Sequence, residues 1–235
     1  MKKHWNYIRL ILLLAILISL MSFANYRHAY KTINAVEVEV FPFEELFVTE
    51  GEVQGLIFPD SVQEINLQSL NLSDLELQLI THDMIKEAEV YYDINGNLGI
   101  EVKQRRPLLR FFDGGFQYLD EEGKIMPLSI NYSARVPVAI GFSSKEIEMI
   151  YPLVKAVKND HFLNQHVVGF NKEKDGVNIS FREADFKVLF GRVDQIDLKF
   201  NNLKAFYLKA KKDGKLATYK KVDLRFGNQV VCTKI

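Results

Sequence analysis

Asp120, Glu121 and Glu122 stand consecutively before Gly123, and neighbouring carboxylates are where glycosidase-type acid–base chemistry would first be sought. That chemistry needs two carboxyl groups facing one cleft about 5–10 Å apart. Three successive acids in a turn are instead expected to be solvated. The five histidines are His4, His28, His82, His161 and His166, and the one cysteine is Cys232. His161 and His166 are five residues apart, which matches no zinc-binding spacing. Gly114-Gly115 reads as a turn rather than a phosphate loop, and neither a Gly-x-Ser-x-Gly elbow nor a His-Glu-x-x-His helix occurs. This inventory predicts no catalytic residue, no metal and no cofactor. It favours a binding protein over an enzyme.

The charges say more. Thirty basic and thirty acidic side chains cancel over 235 residues, which argues against a polycationic nucleic-acid binder. Residues 1–32 carry about +5, residues 33–101 about −14 with Lys86 the only cation, and residues 102–235 about +9. Residues 199–234 hold ten Lys/Arg against Asp213 and Asp223. Such a stretch suits an acidic protein or an anionic surface, or else a solvated helix face and a strand edge guarded by Lys220 and Lys221.

The elements that must position these residues follow from periodicity. Residues 33–40 alternate as a strand that Pro42 stops. Thr49 with Glu52 and Ser73 with Glu76 have capping-box spacing, predicting helices toward Ile57 and His82. Residues 85–93 and 98–105 read as strands joined by a tight turn at Asn95-Gly96. Beyond Pro107 the pattern is mostly β: 108–112, 116–119, 135–140, 177–181 and 186–190. Ser143 with Glu146 opens a helix to about Lys158, and residues 195–209 form another. Tyr219–Phe226 is the last strand, continuing through Val231. A single cysteine permits no internal disulfide, so packing must hold the fold together.

The window 7–26 is largely apolar and, as a helix rising about 1.5 Å per residue, would span roughly 30 Å. Trp5, Tyr7, Tyr26 and Tyr30 flank it as interfacial rings, with Arg9 near one end and Arg27 and Lys31 beyond the other. The expectation is a retained transmembrane helix. The alternative is a signal peptide cleaved near Ser22 and Ala24. Residues 33–235 are placed outside the cytoplasm, giving a single-pass inner-membrane protein with a cytoplasmic N-terminus and periplasmic domains.

Three stretches carry a resemblance: Ile100-Glu101-Val102-Lys103-Gln104-Arg105-Arg106-Pro107, Tyr118-Leu119-Asp120-Glu121-Glu122-Gly123 with Met126-Pro127-Leu128, and Val222-Asp223-Leu224-Arg225-Phe226. With them the chain resembles the bacterial cell-division family FtsQ/DivIB. The resemblance implies an α+β fold: a cytoplasmic head and transmembrane helix over 1–32, a POTRA-like β-α-α-β-β domain over 33–105, and a β-rich domain with helices on its sheet over 106–235. It implies a non-enzymatic bitopic scaffold at the division septum, linking early and late division proteins. An FtsB-like protein, paired with an FtsL-like one, would add a strand to the C-terminal edge. FtsK-like and septal peptidoglycan synthesis proteins are further implied partners; nucleic acid and small-molecule substrates are not. The partner-binding residues carried over are Tyr219, Lys220, Lys221, Val222, Asp223, Leu224, Arg225 and Phe226. Parity puts Phe226 with Val222 and Leu224, either in the core or re-aimed at the partner by a bulge near Gly227, while Asp223 and Arg225 face the other way and could read partner charge. The alternative function is a POTRA-type chaperone or assembly factor for envelope protein translocation.

Overall fold

The structure, a computed structural model, describes residues 2–29, 32–59, 70–93, 95–183, 185–227 and 229–235. It divides into two units, Met1–Gln104 and Arg105–Ile235. The first begins with helix α1 (Lys2–Ala29), on which Leu10, Leu13, Leu17 and Leu20 are all exposed. Among the described residues no helix is long and apolar enough to cross a membrane. The transmembrane helix, and with it the single-pass inner-membrane and periplasmic placement, is therefore corrected. The apolar run free of charge and amide side chains is residues 10–24, a rise of about 22 Å against about 30 Å of hydrocarbon. The window 7–26 reaches that thickness only by including Arg9 and Asn25. Tyr30 and Lys31, read as flanking residues, lie outside the described residues.

The first unit continues β1 (Val36–Phe41), α2 (Glu50–Ile57), α3 (Leu72–Ile80), β2 (Ile85–Tyr92) and β3 (Leu98–Gln104). The strand order is β1-β3-β2, with β1 parallel and β2 antiparallel to β3. Thr49 caps α2 through its capping box with Glu52. For α3 the cap is Asn71 rather than Ser73, which lies inside the helix. Alternation buries Val40, Ala88, Val90, Leu98, Ile100 and Val102, with Val53 and Leu79 supplied by the two helices. Glu37, Glu39, Glu87, Glu89, Glu101 and Lys103 take the opposite parity. Asp93 accepts from the amides of Asn95 at 2.8 Å and Asn97 at 2.9 Å and so shapes the hairpin turn. Buried Gln104 closes the loop before α2, its Oε1 accepting from the amides of Phe47 at 2.6 Å and Val48 at 2.9 Å.

The second unit contains β4 (Pro107–Phe112), β5 (Phe116–Asp120), β6 (Ile125–Pro127), β7 (Val138–Ile140), α4 (Ser144–Asn159), α5 (His161–His166), β8 (Val167–Glu173), β9 (Gly176–Phe181), β10 (Lys187–Gly191), α6 (Ile196–Lys212), β11 (Tyr219–Phe226) and β12 (Gln229–Lys234). They make one nine-stranded sheet in the order β12-β11-β10-β9-β8-β7-β4-β5-β6. The neighbours β7/β8 and β10/β11 are parallel, and parallel neighbours need a crossover connection. The pair α4–α5 supplies the first and α6 the second. All three helices pack into a single core with Phe111, Phe170, Ile179, Phe190, Val222 and Leu224.

Four of these elements go beyond the periodicity reading: β6, α5, β8 and β12. In β8 the hydrophobic run is broken by Gly169, which is needed because a Cβ there would lie 2.9 Å from the Val138 carbonyl oxygen of the parallel neighbour. At the start of α6, Lys199 is buried yet satisfied. Its Nζ donates to the Arg192 carbonyl at 2.8 Å and to Asp194 at 2.6 Å, and it lies 4.7 Å from the centre of the Phe190 ring. Asp120 is equally occupied: it takes the amides of Glu122 at 2.9 Å and Lys124 at 2.8 Å and the Arg105 guanidinium at 2.9 Å. It organises a turn.

Gln104→Leu strips the acceptor from two buried amides, and urea unfolding of the first unit should show a loss of about 1–3 kcal/mol. Glu146 receives Lys172 and the Ser143 amide and hydroxyl, which pull its pKa from 4.5 to about 2. A depressed carboxylate pKa stabilises above the unfolded value, so the cap on α4 should hold above about pH 4.5 and fade as the pH falls toward 2. Amide exchange at residues 144–147 measured across that interval checks it, and Glu146→Gln should flatten the dependence.

Candidate functional site

Residues 219–226 form β11 in full, but β11 is not a free edge. Its inner flank pairs in parallel with β10, Val188 opposite Val222 and Leu189 opposite Asp223. Its outer flank pairs antiparallel with β12, Val222 opposite Cys232 and Asp223 opposite Val231. The expected open edge over residues 220–226 is thereby corrected, as is the continuation of one strand through Val231. The chain reverses at Gly227, whose φ of 62° lies in the left-handed region that favours glycine. Gly227-Asn228 between two β-like runs is a hairpin signal that could have revealed the reversal; Asn228 itself lies outside the described residues.

Along β11 the candidate residues divide by environment. Val222 and Leu224 are fully buried in the core, and Tyr219 is half-buried with its ring edge-on to Phe206 at 5.1 Å. Lys220, Lys221 and Arg225 are exposed. Phe226 is 57% exposed, although simple alternation would place it with Val222 and Leu224. The register shift between Asp223 and Phe226 breaks that alternation and turns the ring out of the core.

Asp223 and Arg225 bind each other. The Asp223 carboxylate accepts from Arg225 Nε at 2.9 and 3.1 Å, from Nη2 at 2.6 Å and from its backbone amide at 3.0 Å, while Arg225 Nη1 reaches Asp175 at 3.2 Å. The guanidinium holds the Asp223 carboxyl below the ordinary carboxylate range. In return, hydrogen bonding to Asp223 raises the Arg225 pKa. The side chain of Arg225 also lies across Gly191, where an added Cβ would meet it at 2.7 Å. Gly191 in turn sits so close to Gly176 that a Cβ on the latter would approach its backbone to 2.3 Å. Arg225 is thus fixed among Asp223, Asp175 and Gly191; Asp175-Gly176 carries an Asp-Gly turn signal in the sequence, but nothing there links Asp175 to Arg225.

The edge belongs to β12. It ends the sheet, and among the described residues no strand pairs with its outer flank. Val230 and Cys232 turn toward the core, where burial pushes the Cys232 thiol pKa up, while Val231 is 43% exposed. Exposed lysines frame the strand: Lys220 and Lys221 on its neighbour and Lys234 at its end. The histidines play other parts, His166 stacking on Phe162 at 4.3 Å and His161 meeting Gln165.

These features define the class: an α+β domain with three crossover helices packed on a mixed sheet that ends in a C-terminal hairpin. The family model described as FtsQ/DivIB, C-terminal related, matches residues 106–233, more than half of the chain, and the protein belongs to the FtsQ/DivIB family. Comparison with curated proteins gives no match. The family is a non-enzymatic cell-division family whose members interact with other division proteins, and the chain takes a role in division with it.

Truncation along β11 should separate core from surface. Leu224→Ala is expected to cost about 2–5 kcal/mol, whereas Phe226→Ala should stay within about 0.5 kcal/mol; denaturant titration of the two variants reads the difference.

Proposed function

We propose that the protein is a non-enzymatic scaffold of the division machinery that accepts a strand from an FtsB-like protein, itself paired with an FtsL-like protein, along the outer flank of β12. The observation that supports this reading is the outer flank of Gln229–Lys234, with which no strand pairs among the described residues, beside the exposed Phe226. An edge strand presents N–H and C=O groups that an added strand satisfies, while side chains select register.

Backbone pairing alone is too weak. A six-residue strand such as β12 turns about three N–H and three C=O groups outward, and about six bonds at about 0.5–1.5 kcal/mol each do little more than offset the roughly 4–15 kcal/mol lost on association. Apolar anchors must provide the surplus. Phe226 and Val231 are the exposed candidates. In this reading the carried-over residues act at different distances: Lys220 and Lys221 flank the incoming strand, Tyr219, Val222 and Leu224 hold β11 in place, and Asp223 and Arg225 brace the end of the hairpin. The first unit, with its β-α-α-β-β order, is read as the POTRA-like part that meets upstream proteins such as an FtsK-like one, and septal peptidoglycan synthesis proteins are reached through the partner pair.

Single prolines at Val230 and Val231 test the reading. Proline is tolerated on an edge where its missing N–H points outward. One of the two variants should therefore keep its fold and lose capture of the FtsB-like/FtsL-like pair, and the pair should protect alternate amides of residues 229–234 from exchange. Full capture by both variants when folded, or unchanged exchange along β12, would sink it.

A further inference from the structure

We infer that the outer face of the nine-stranded sheet, over β5, β4 and β7, docks an amphipathic helix of a partner protein that brings a carboxylate to Arg110. This inference does not depend on the reading of β12. It begins with charge. Among the described residues of the second unit, four cationic side chains are not exposed: Arg105, Arg110, Lys199 and Lys204. Three of them have a carboxylate at hydrogen-bond distance, Arg105 with Asp120 at 2.9 Å, Lys199 with Asp194 at 2.6 Å and Lys204 with Asp160 at 2.7 Å. Arg110 has none among the described residues. Its guanidinium lies 5.0 Å from the centre of the Tyr118 ring, and Nη2 donates to the Tyr118 and Ser133 hydroxyls, but the buried Nε has no acceptor among the described residues. Neutral acceptors leave the charge itself unmatched, and a partly desolvated charge without a counter-ion is costly. Among the described residues Nη1 makes no hydrogen bond, and it is not buried, so an incoming carboxylate can reach it.

The surface around Arg110 sets the rest of the partner. Register aligns Met126, Tyr118, Arg110, Val138 and Gly169 across neighbouring strands, on the parity opposite to Phe111, Ala139 and Phe170, which face the helices in the core. The connection from β6 to β7, residues 128–137, passes over this outer face: Ser133 meets Arg110 there, and the Ala134 amide donates to the Tyr118 hydroxyl at 3.0 Å. It leaves the next row open. In that row Phe116 pairs with Phe112, their rings edge-on at 5.2 Å, and Ile140 follows on β7. Phe116, Phe112 and Ile140 are 54%, 57% and 61% exposed. Contiguous exposed apolar side chains beside an unmatched charge mark an interaction surface. Both flanks of β4 and of β7 are paired, so a newcomer must lie across the face rather than extend the sheet. Arg110 and Phe112 are two positions apart on one strand, about 7 Å, and a helix sets side chains three or four positions apart at about 5–6 Å. A glutamate with leucines three and four positions away therefore meets Arg110 and the Phe116–Phe112–Ile140 row together. β12 is five strands from β7, roughly 24 Å at about 4.8 Å per strand, so a helix here and a strand on β12 can be held at once.

The test uses the full chain and two sixteen-residue alanine-based helical peptides with leucine at positions four, eight and eleven, one carrying glutamate and the other glutamine at position seven. The glutamate peptide should bind about tenfold more tightly and shift the methyl signals of Val138 and Ile140 while leaving those of Val230 and Val231 in place. Arg110→Met removes a charge that no carboxylate matches among the described residues, so the variant should keep its stability in urea and bind the two peptides equally. Phe112→Ser should weaken both peptides alike. No binding of the glutamate peptide, equal affinity of the unaltered chain for the two, methyl shifts mapped to β12, or discrimination kept by Arg110→Met would overturn the proposal. Self-association of the chain that Ile140→Ser abolishes would assign the face to a second copy and overturn it too. Should Arg110→Met fail to fold, Phe112→Ser and the methyl map decide by themselves.

Discussion

Backbone pairing at the end of the large sheet is the constraint on which the second unit depends. A strand buried on one face must have its N–H and C=O groups satisfied on both flanks, or else present them to solvent at an edge. β11 contributes Val222 and Leu224 to the core and has both flanks occupied, so it is an interior strand. The reversal at Gly227 passes the edge to β12, whose side chains are mostly exposed. Edge and core functions are thereby separated onto neighbouring strands, and an edge that contributes little to the core can accept a partner without disturbing it.

The corner that supports this hairpin is built from close approaches rather than from apolar bulk. Gly176 and Gly191 allow two turns to touch, and the space over Gly191 is filled by Arg225, which Asp223 and Asp175 hold in place. A bidentate guanidinium–carboxylate contact with few alternative geometries orients the chain just before it reverses. The exposure of Phe226 follows from the register shift beside that anchor. Chemistry that looks available to a partner in the sequence, an adjacent Asp and Arg on a strand, is engaged within the chain.

The first unit solves a different problem with similar means. Gln104, a polar residue at the end of an apolar strand, is buried because two amides of a preceding loop need its oxygen. Glu76 performs a comparable service for Val90, at an edge instead of a loop. Neither role is visible from position in the sequence, since each joins residues brought together only by folding. Asp120 is the counterexample: its place before Glu121-Glu122-Gly123 already marks a turn, and the structure adds only Arg105 to the amides it collects.

The sequence by itself determined the α+β class, the helices signalled by Thr49/Glu52 and Ser143/Glu146, the run Tyr219–Phe226 as a strand, and the motifs that place the chain in its family. These depend on local periodicity, capping and turn chemistry, which act over a few residues. It did not determine β6, α5 and β8, which are short or interrupted. Only the tertiary structure decided which strand ends each sheet, that Arg225 is held by Asp223 and Asp175, and that Arg110, unlike Arg105, Lys199 and Lys204, meets no carboxylate among the described residues. Strand order and register are set by contacts between residues far apart in the chain, and the pattern along any one strand is the same whether its flank is covered or open.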